Sequence, residues 1–395
     1  MPTRDNASRH ILSLDVGTTG VKAFVFDEHE KPISRGYAPL RKSSPKNGWV
    51  EQDPREILSV SEELLRNAVA NSGIGADEIG GFALANQRET TIIWERASGD
   101  PVYPAIVWED ARTADFCDTL SRKHGEQVRE KTGLPIDSYF SASKIRWILD
   151  EVPGARKRAE NGELCFGTVD SWILWNFAEG HPHTTDYTNA SRTLLFNIKT
   201  KVWDDELLSL FDVPRALLPS VGPSASAHFG VLSNTVCGAT IPIRAVAGDQ
   251  QASLFAAGSA VGTTKITFGT GIFMMHIIGN EFRVLPSFFT TLSAGKGEPR
   301  YALEAKVGDC AVRVSPLIGK KELTPLLDEF AREVAGFIAK LPFPPKELTI
   351  DGGVTQAPHL RVALERETGL LIREHALFDG TALGITRLAF SGSEV

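Results

Sequence analysis

Cysteine is scarce and scattered: Cys117, Cys165, Cys237 and Cys310 are the four in 395 residues, and no two form a C-x-x-C pair. That spacing suggests neither a zinc site nor a disulfide framework and leaves buried free thiols in a reducing compartment. No apolar run approaches the roughly 18 residues that would span a bilayer. The opening MPTRDNASRH is polar and lacks an apolar signal core, so a cytoplasmic location without membrane contact is expected. Positive charge is in deficit, with 42 basic against 49 acidic side chains and a net charge of −7. This argues against nucleic acid as the main partner, because phosphate-backbone binding relies on a concentrated positive field. Neither G-x-x-x-x-G-K-[ST] nor a G-x-G-x-x-G between strand and helix occurs, so the P-loop and dinucleotide-binding modes have no support.

What is present is the balance of an ordinary globular protein, 42% apolar and 23% charged. At roughly 150 residues per domain the length suggests two or three domains. His10 to Val16 and Val21 to Asp27 read as strands joined by Gly17-Thr18-Thr19-Gly20, and Pro32 to Pro39 supplies a third. Asp53, Pro54 and Glu56 carry a helix-start signature, and Ile57, Val60, Leu64 and Ala68 recur at helical spacing behind it. Strands Ile79 to Ala85 and Thr91 to Trp94 follow, then a largely helical stretch from Ala111 to Leu218. A second alternation begins at Ile241, with strand Ile243 to Ala247, a small-residue helix through Ala257 and two strands around Phe268-Gly269-Thr270-Gly271. LDVGTTGVKAFVFD and KITFGTGIFMMHII are alike: apolar strands about a Gly-Thr turn, repeated at the scale of domains. The pattern predicts an α/β protein, residues 1–250 forming one domain and 251–395 the other.

Glycines at a turn expose backbone N–H groups, and with threonine hydroxyls beside them such nests bind phosphate oxygens. Each hairpin by itself also reads as a plain turn. Asp15 closes the first strand, where a carboxylate could hold Mg²⁺ through water against phosphate or simply shape the turn. Asp249 reads as a helix cap and, equally, as a base that could accept a hydroxyl proton during phosphoryl transfer. Arg88 and Glu89 follow a strand; a rigid fork of donors beside an acceptor-only group can fix adjacent hydroxyls, or form a surface ion pair. Trp108 and Tyr139 could show ring faces to ligand C–H groups or belong to the core.

Taken together with NQRETT, AIVWEDART, TGLPIDSYFSASKIRWILD, GTVDSWILWN, AGDQQASLFA, FGTGIFMM, IDGGVTQ and TALGITRLA, in that order, the chain resembles the FGGY carbohydrate kinases. The resemblance implies two actin-like, ribonuclease H-like ATPase domains around a cleft and ATP-dependent phosphorylation of glycerol or another polyol or sugar. By position it implies that Arg88, Glu89, Tyr139, Asp249 and Gln250 hold the polyol, Trp108 and Phe273 form an apolar wall, and Asp249 is the general base. Thr18, Thr19, Gly20 and Lys22 match positions that cradle ATP phosphates, Lys22 standing where arginine is usual; Thr270 matches the second hairpin's phosphate contact and Gly353 the adenosine loop, and in such a kinase Asp15 would hold Mg²⁺. The nucleotide half departs from the family pattern. Ala305 replaces a glycine, Ala311 and Ser315 replace Gly and Gln, Ala357 replaces an Asn, and residues 305–350 are fewer than the family has between strand and Asp-Gly-Gly. A shortened second domain is therefore expected, and with it the alternative of a polyol-binding protein that has lost ATP use. Self-association is left open.

Overall fold

The computed structural model describes residues 10–269, 271–318, 320, 322–374 and 379–392. Two six-stranded sheets form its frame. The first contains β1 (His10–Val16), β2 (Gly20–Phe26), β3 (Pro32–Pro39), β4 (Ile79–Asn86), β5 (Val231–Leu232) and β6 (Ile241–Gly248), in the order β5-β6-β4-β1-β2-β3. The second contains β7 (Thr264–Phe268), β8 (Gly271–Gly279), β9 (Phe289–Leu292), β10 (Tyr301–Asp309), β11 (Glu347–Asp351) and β12 (Leu371–Glu374), in the order β9-β10-β8-β7-β11-β12. Each sheet opens with an antiparallel hairpin, β1-β2 or β7-β8, and extends antiparallel on one side to β3 or β10. On its other side the first strand of each hairpin pairs in parallel, with β4 or β11. The repeated hairpin of the sequence is thus a repeated sheet topology.

Strand alternation sorts the residues of β1. Leu12, Leu14 and Val16 enter one core with Phe82, Leu84, helix α1 (Pro54–Ser72) and the later helix Val169–Phe177. Ile11 joins a second core, of small residues, with Ala83, Ala85, Ala245 and Ala247. Ser13 and Asp15 share that inner face by the same period. At the start of α1 the Asp53 side chain accepts from Arg55 N at 2.9 Å, and Gly73 ends the helix with φ 79°. Glu56 turns out to Arg41 at 2.8 Å instead of reaching back to the cap.

The inner face of the first sheet is covered by the last helix of the described chain, Gly380–Ser391, whose Ile385, Leu388 and Ala389 pack on it. This helix lies along a second one, Asp249–Ala257, and the approach is close: a Cβ on Gly384 would stand 1.8 Å from Ala252 O. Helix Leu323–Ile338 and helix Pro358–Thr368 supply Phe330, Val334, Leu360 and Leu364 to the core of the second sheet. Residues 305–350, expected to be short, form the end of β10, the Leu323–Ile338 helix and the start of β11.

Two glycine substitutions separate close approach from helix propensity. Gly336 is exposed in the last turn of helix Leu323–Ile338, with nothing near its missing Cβ. Gly336→Ala should therefore stabilise by about 0.5–1 kcal/mol. Gly384→Ala should destabilise by about 3 kcal/mol through overpacking. Urea denaturation of the two variants checks the opposite signs.

Candidate active site

Asp249 is the first residue of the helix that follows β6, with Gly248 as its N-cap in extended conformation. Its Oδ1 accepts from Gln250 N at 2.6 Å and lies 3.5 Å from Arg88 Nε. Arg88, at the end of β4, is buried, and its fork is used. Nη1 donates to Glu304 Oε2 at 2.7 Å and to Gln251 Oε1 at 3.2 Å, and Nη2 donates to Glu304 Oε1 at 2.9 Å. Of five N–H groups, one on Nη2 remains, beside the Nε–H that faces Asp249. Glu304 stands on β10 of the second sheet, so this bidentate pair spans both bodies. A second buried guanidinium, Arg192, donates from Nε to Glu89 Oε1 at 2.5 Å and from Nη2 to Glu304 Oε1 at 3.3 Å.

Glu89 has φ 64°, in the left-handed region that a side chain such as this seldom adopts. Its carbonyl is held by Ser141 Oγ at 2.9 Å and Thr91 Oγ1 at 3.1 Å, which keep the backbone in place. With Oε1 given to Arg192, Glu89 Oε2 has no hydrogen-bond partner among the described residues. Tyr139 stacks edge-to-face on Trp108 at 5.4 Å, and burial, with Glu89 nearby, pushes its phenol upward so that it stays neutral. Trp108 Nε1 donates to Thr18 Oγ1 at 2.8 Å, tying the aromatic pair to the first Gly-Thr turn.

That turn is closed by Gly17 N donating to Gly20 O at 3.0 Å, with Thr19 exposed at its tip. The second turn is one residue shorter and is closed by Gly269 N donating to Gly271 O at 3.0 Å. Thr270 lies outside the described residues. Phe273 is half-buried on β8, where it pairs with Thr267 and Lys306. It makes no ring contact with Trp108 or Tyr139 among the described residues. Gly353 begins a turn after β11; the preceding Gly352, φ 99°, lies where a Cβ would come within 2.4 Å of Phe268 O. The Asp-Gly-Gly loop is therefore seated against the strand that leads into the second Gly-Thr turn.

Asp15 is buried, with Lys22 Nζ 3.5 Å from its Oδ2 and its Oδ1 lacking a hydrogen-bond partner among the described residues. Lys22 also pairs with Asp379 at 2.6 Å. Burial raises Asp15 to about 7; Lys22 opposes this, while Asp379 and Asp249 add to it. Asp249 is itself raised, by burial first, with Arg88 opposing. Glu304 goes the other way: burial alone would raise it, but Arg192 and Arg88 bring it down to about 2. The described residues hold no group of three or more His, Cys, Asp or Glu placed for a metal. One buried carboxylate with an unpartnered oxygen fits a cation that keeps most of its water and leans on phosphate, as Mg²⁺ does.

The residues singled out from the sequence fall into two neighbouring groups, Arg88, Glu89, Tyr139, Trp108, Asp249 and Gln250 in one, and Asp15, Thr18, Thr19, Gly20 and Lys22 in the other. Trp108 bonds the two groups together, and Asp15 and Asp249 feel each other's charge. Sequence reasoning missed Arg192, Glu304, Gln251, Lys265 and Asp379. Glu304 had a readable signal, a lone carboxylate in the apolar strand Tyr301-Ala302-Leu303-Glu304-Ala305. Such a residue demands a buried cation.

The FGGY family of carbohydrate kinases, N-terminal domain, matches residues 10–256, and the chain belongs to this family. Its glycerol kinases from Burkholderia multivorans (strain ATCC 17616 / 249) and Burkholderia cenocepacia (strain HI2424) are 49% and 48% identical over 303 residues, which is 76% of this chain. The chain spans 60% of the length of these relatives. Among solved structures, Plasmodium falciparum glycerol kinase with ADP superposes with a TM-score of 0.90 at 26% identity, over 97% of this chain and 89% of that one. Gluconate kinase from Lactobacillus acidophilus shares the fold, with a TM-score of 0.82 at 16% identity, over 97% and 89% of the two chains. The two α/β bodies are thus the actin-like ATPase pair of this family. A truncated second domain does not follow from the fold, since its sheet has six strands like the first. No helix among the described residues is long and apolar enough to cross a membrane.

The Glu304 pairing has a defined acid limit. An ordinary glutamate near 4.5 in the unfolded chain and about 2 in the folded one means that the unfolded state takes the proton first. Its stabilisation is complete above 4.5 and is lost as pH falls towards 2. Glu304→Gln, which leaves Arg88 and Arg192 without their carboxylate, should cost about 3–5 kcal/mol at pH 7. The gap between wild type and variant in urea unfolding should narrow at pH 3; an equal gap at both pH values contradicts the assignment.

Proposed function

We propose that the chain transfers the γ-phosphoryl group of ATP to a hydroxyl of glycerol, with Asp249 as general base. The observation that carries this reading is the place of Asp249: beside Arg88 and Gln250 on one side, and within electrostatic reach of Asp15 at the first Gly-Thr turn on the other. A hydroxyl on Asp249 gives up its proton to the carboxylate as its oxygen bonds to the γ-phosphorus, and the bond to the β-phosphate oxygen breaks to release ADP. An elevated Asp249 suits this role, because a base works best when its affinity for protons approaches the operating pH. Glu89 Oε2, the remaining Nη2 hydrogen of Arg88 and the Tyr139 phenol orient the alcohol. Thr18, Thr19, Gly20 and Lys22, with Thr270 and Gly353 from the second body, receive the nucleotide. Mg²⁺ held through water by Asp15 would supply neutralisation of phosphate charge; the Asp15 oxygen without a partner supports that place for it.

The names of the relatives, glycerol kinases in both sequence and structure, support glycerol over a larger sugar. One observation favours a second reading, a polyol-binding protein without phosphotransfer: the nucleotide half is where Ala305 and Ala357 depart from the family pattern, and the chain spans 60% of the length of its curated relatives. Calorimetry with glycerol and ADP separates the two readings, since the kinase binds both ligands and the binding protein takes glycerol alone.

Two outcomes are expected of turnover. Asp249→Ala should reduce kcat at least about 10³-fold in an assay of ADP release, in line with loss of a positioned base at a crowded site. The kcat/KM of the wild type should fall as pH drops through a value above the usual carboxylate range, since protonated Asp249 cannot accept the hydroxyl proton. Equal turnover by wild type and Asp249→Ala would reject the mechanism.

A further inference from the structure

Among the described residues two lysines are fully buried, Lys144 and Lys265. Lys144 donates to Tyr139 O at 2.9 Å and so holds the loop that carries the ring. Lys265, on β7, has a different setting. Its Nζ donates to Gln250 Oε1 at 3.0 Å and stands 3.6 Å from Asp351 Oδ1, while Asp351 Oδ2 accepts from Ser253 Oγ. An ammonium has three donors and no acceptor, so a glutamine amide can meet it with oxygen alone. Once Oε1 is held there, Nε2 is turned the other way. It has no hydrogen-bond partner among the described residues, and Gln250 is half-buried immediately after Asp249. Burial lowers the proton affinity of Lys265, and Asp351 and Asp249 oppose this.

We propose that Lys265 is a positioning residue: it fixes the amide orientation of Gln250 so that Nε2 becomes the donor offered to an oxygen of the bound alcohol. This rests on the reading that the alcohol lies against Asp249 and Gln250. Around the alcohol, Asp249 and Glu89 are acceptors when ionised, so they take hydroxyl protons. A donor at Gln250 then serves a hydroxyl oxygen's lone pair beside the Arg88 and Tyr139 donors, whereas an amide free to flip would also present a third acceptor. The same lysine contacts Asp351, which precedes Gly352-Gly353, so polyol and nucleotide sides share one cation.

The test has two arms, one independent of any ligand. In protein labelled with ¹⁵N-glutamine, six side-chain amide pairs are present, and the Gln250 pair is assigned by its loss in Gln250→Leu. In Lys265→Met that pair should shift in the ligand-free protein, and in Lys265→Arg, which keeps a cationic donor, it should stay close to its wild-type position. In the second arm, the glycerol KM should rise at least tenfold in Lys265→Met with a smaller change in kcat. Because Asp351 loses its cation in that variant, the double variant Lys265→Met/Asp351→Asn removes the stranded charge and should keep the raised KM. An unmoved Gln250 pair, or a KM restored in the double variant, overturns the proposal. If the wild type binds no polyol, the functional reading fails by itself, and the amide arm still decides whether Lys265 orients Gln250.

Discussion

The carboxylate of Glu304, received by two arginines, is the contact on which the site depends. It comes from the second sheet, while Arg88 and Arg192 come from the first body, and all three side chains are buried. Taking three charges out of water is costly, and the cost is met only if each hydrogen-bonding position is filled. The bidentate Arg88–Glu304 pair, the Arg192 bridge to Glu89 and Gln251 at Arg88 fill most of these positions, while Arg192 Nη1 has no hydrogen-bond partner among the described residues. The result joins the two bodies at the place where the residues proposed to hold the polyol gather, and fixes Arg88 and Glu89 without any ligand. Prepositioning of this kind lets binding energy act on reaction geometry instead of ordering side chains.

From that network follow carboxylates with separate tasks. Glu304, between guanidiniums, is held strongly acidic and stays charged as a structural anchor. Asp249, one residue row away, sees burial first and a weaker share of Arg88, so its proton affinity rises. Asp15 rises as well, to about 7, through burial first, with Asp379 and Asp249 adding their charge and Lys22 opposing. Environments that drive like groups apart define their roles. A cation at Asp15 would relieve this crowding of negative charge.

Much of this was legible in residue order. The Gly-Thr turns gave both hairpins, because a strand pair about glycines has few alternatives, and Pro54 behind Asp53 marked the start of the first helix. Asp249 at a strand end before a small-residue helix pointed to the candidate site, where it stands beside Arg88 and Gln250. What stayed hidden was what tertiary pairing decides. Arg192 lies in the polar run Asn189-Ala190-Ser191-Arg192-Thr193, which locally reads as surface, and its burial comes from a strand over a hundred residues away. Arg88 read as a fork open to hydroxyls, yet Glu304 occupies most of it. The return of the last described helix to the first sheet was equally invisible, since its Ile385 and Leu388 would suit either body.

A crystal structure with glycerol and a non-hydrolysable ATP analogue bound together tests the role of Asp249 most directly. One glycerol oxygen should lie about 3 Å from an Asp249 oxygen, within hydrogen-bond reach. The γ-phosphorus should stand in line beyond it at about 3–3.5 Å, with the Arg88–Glu304–Arg192 pairing intact. Glycerol seated away from Asp249, or an analogue whose γ-phosphate approaches a different side of the alcohol, would contradict it.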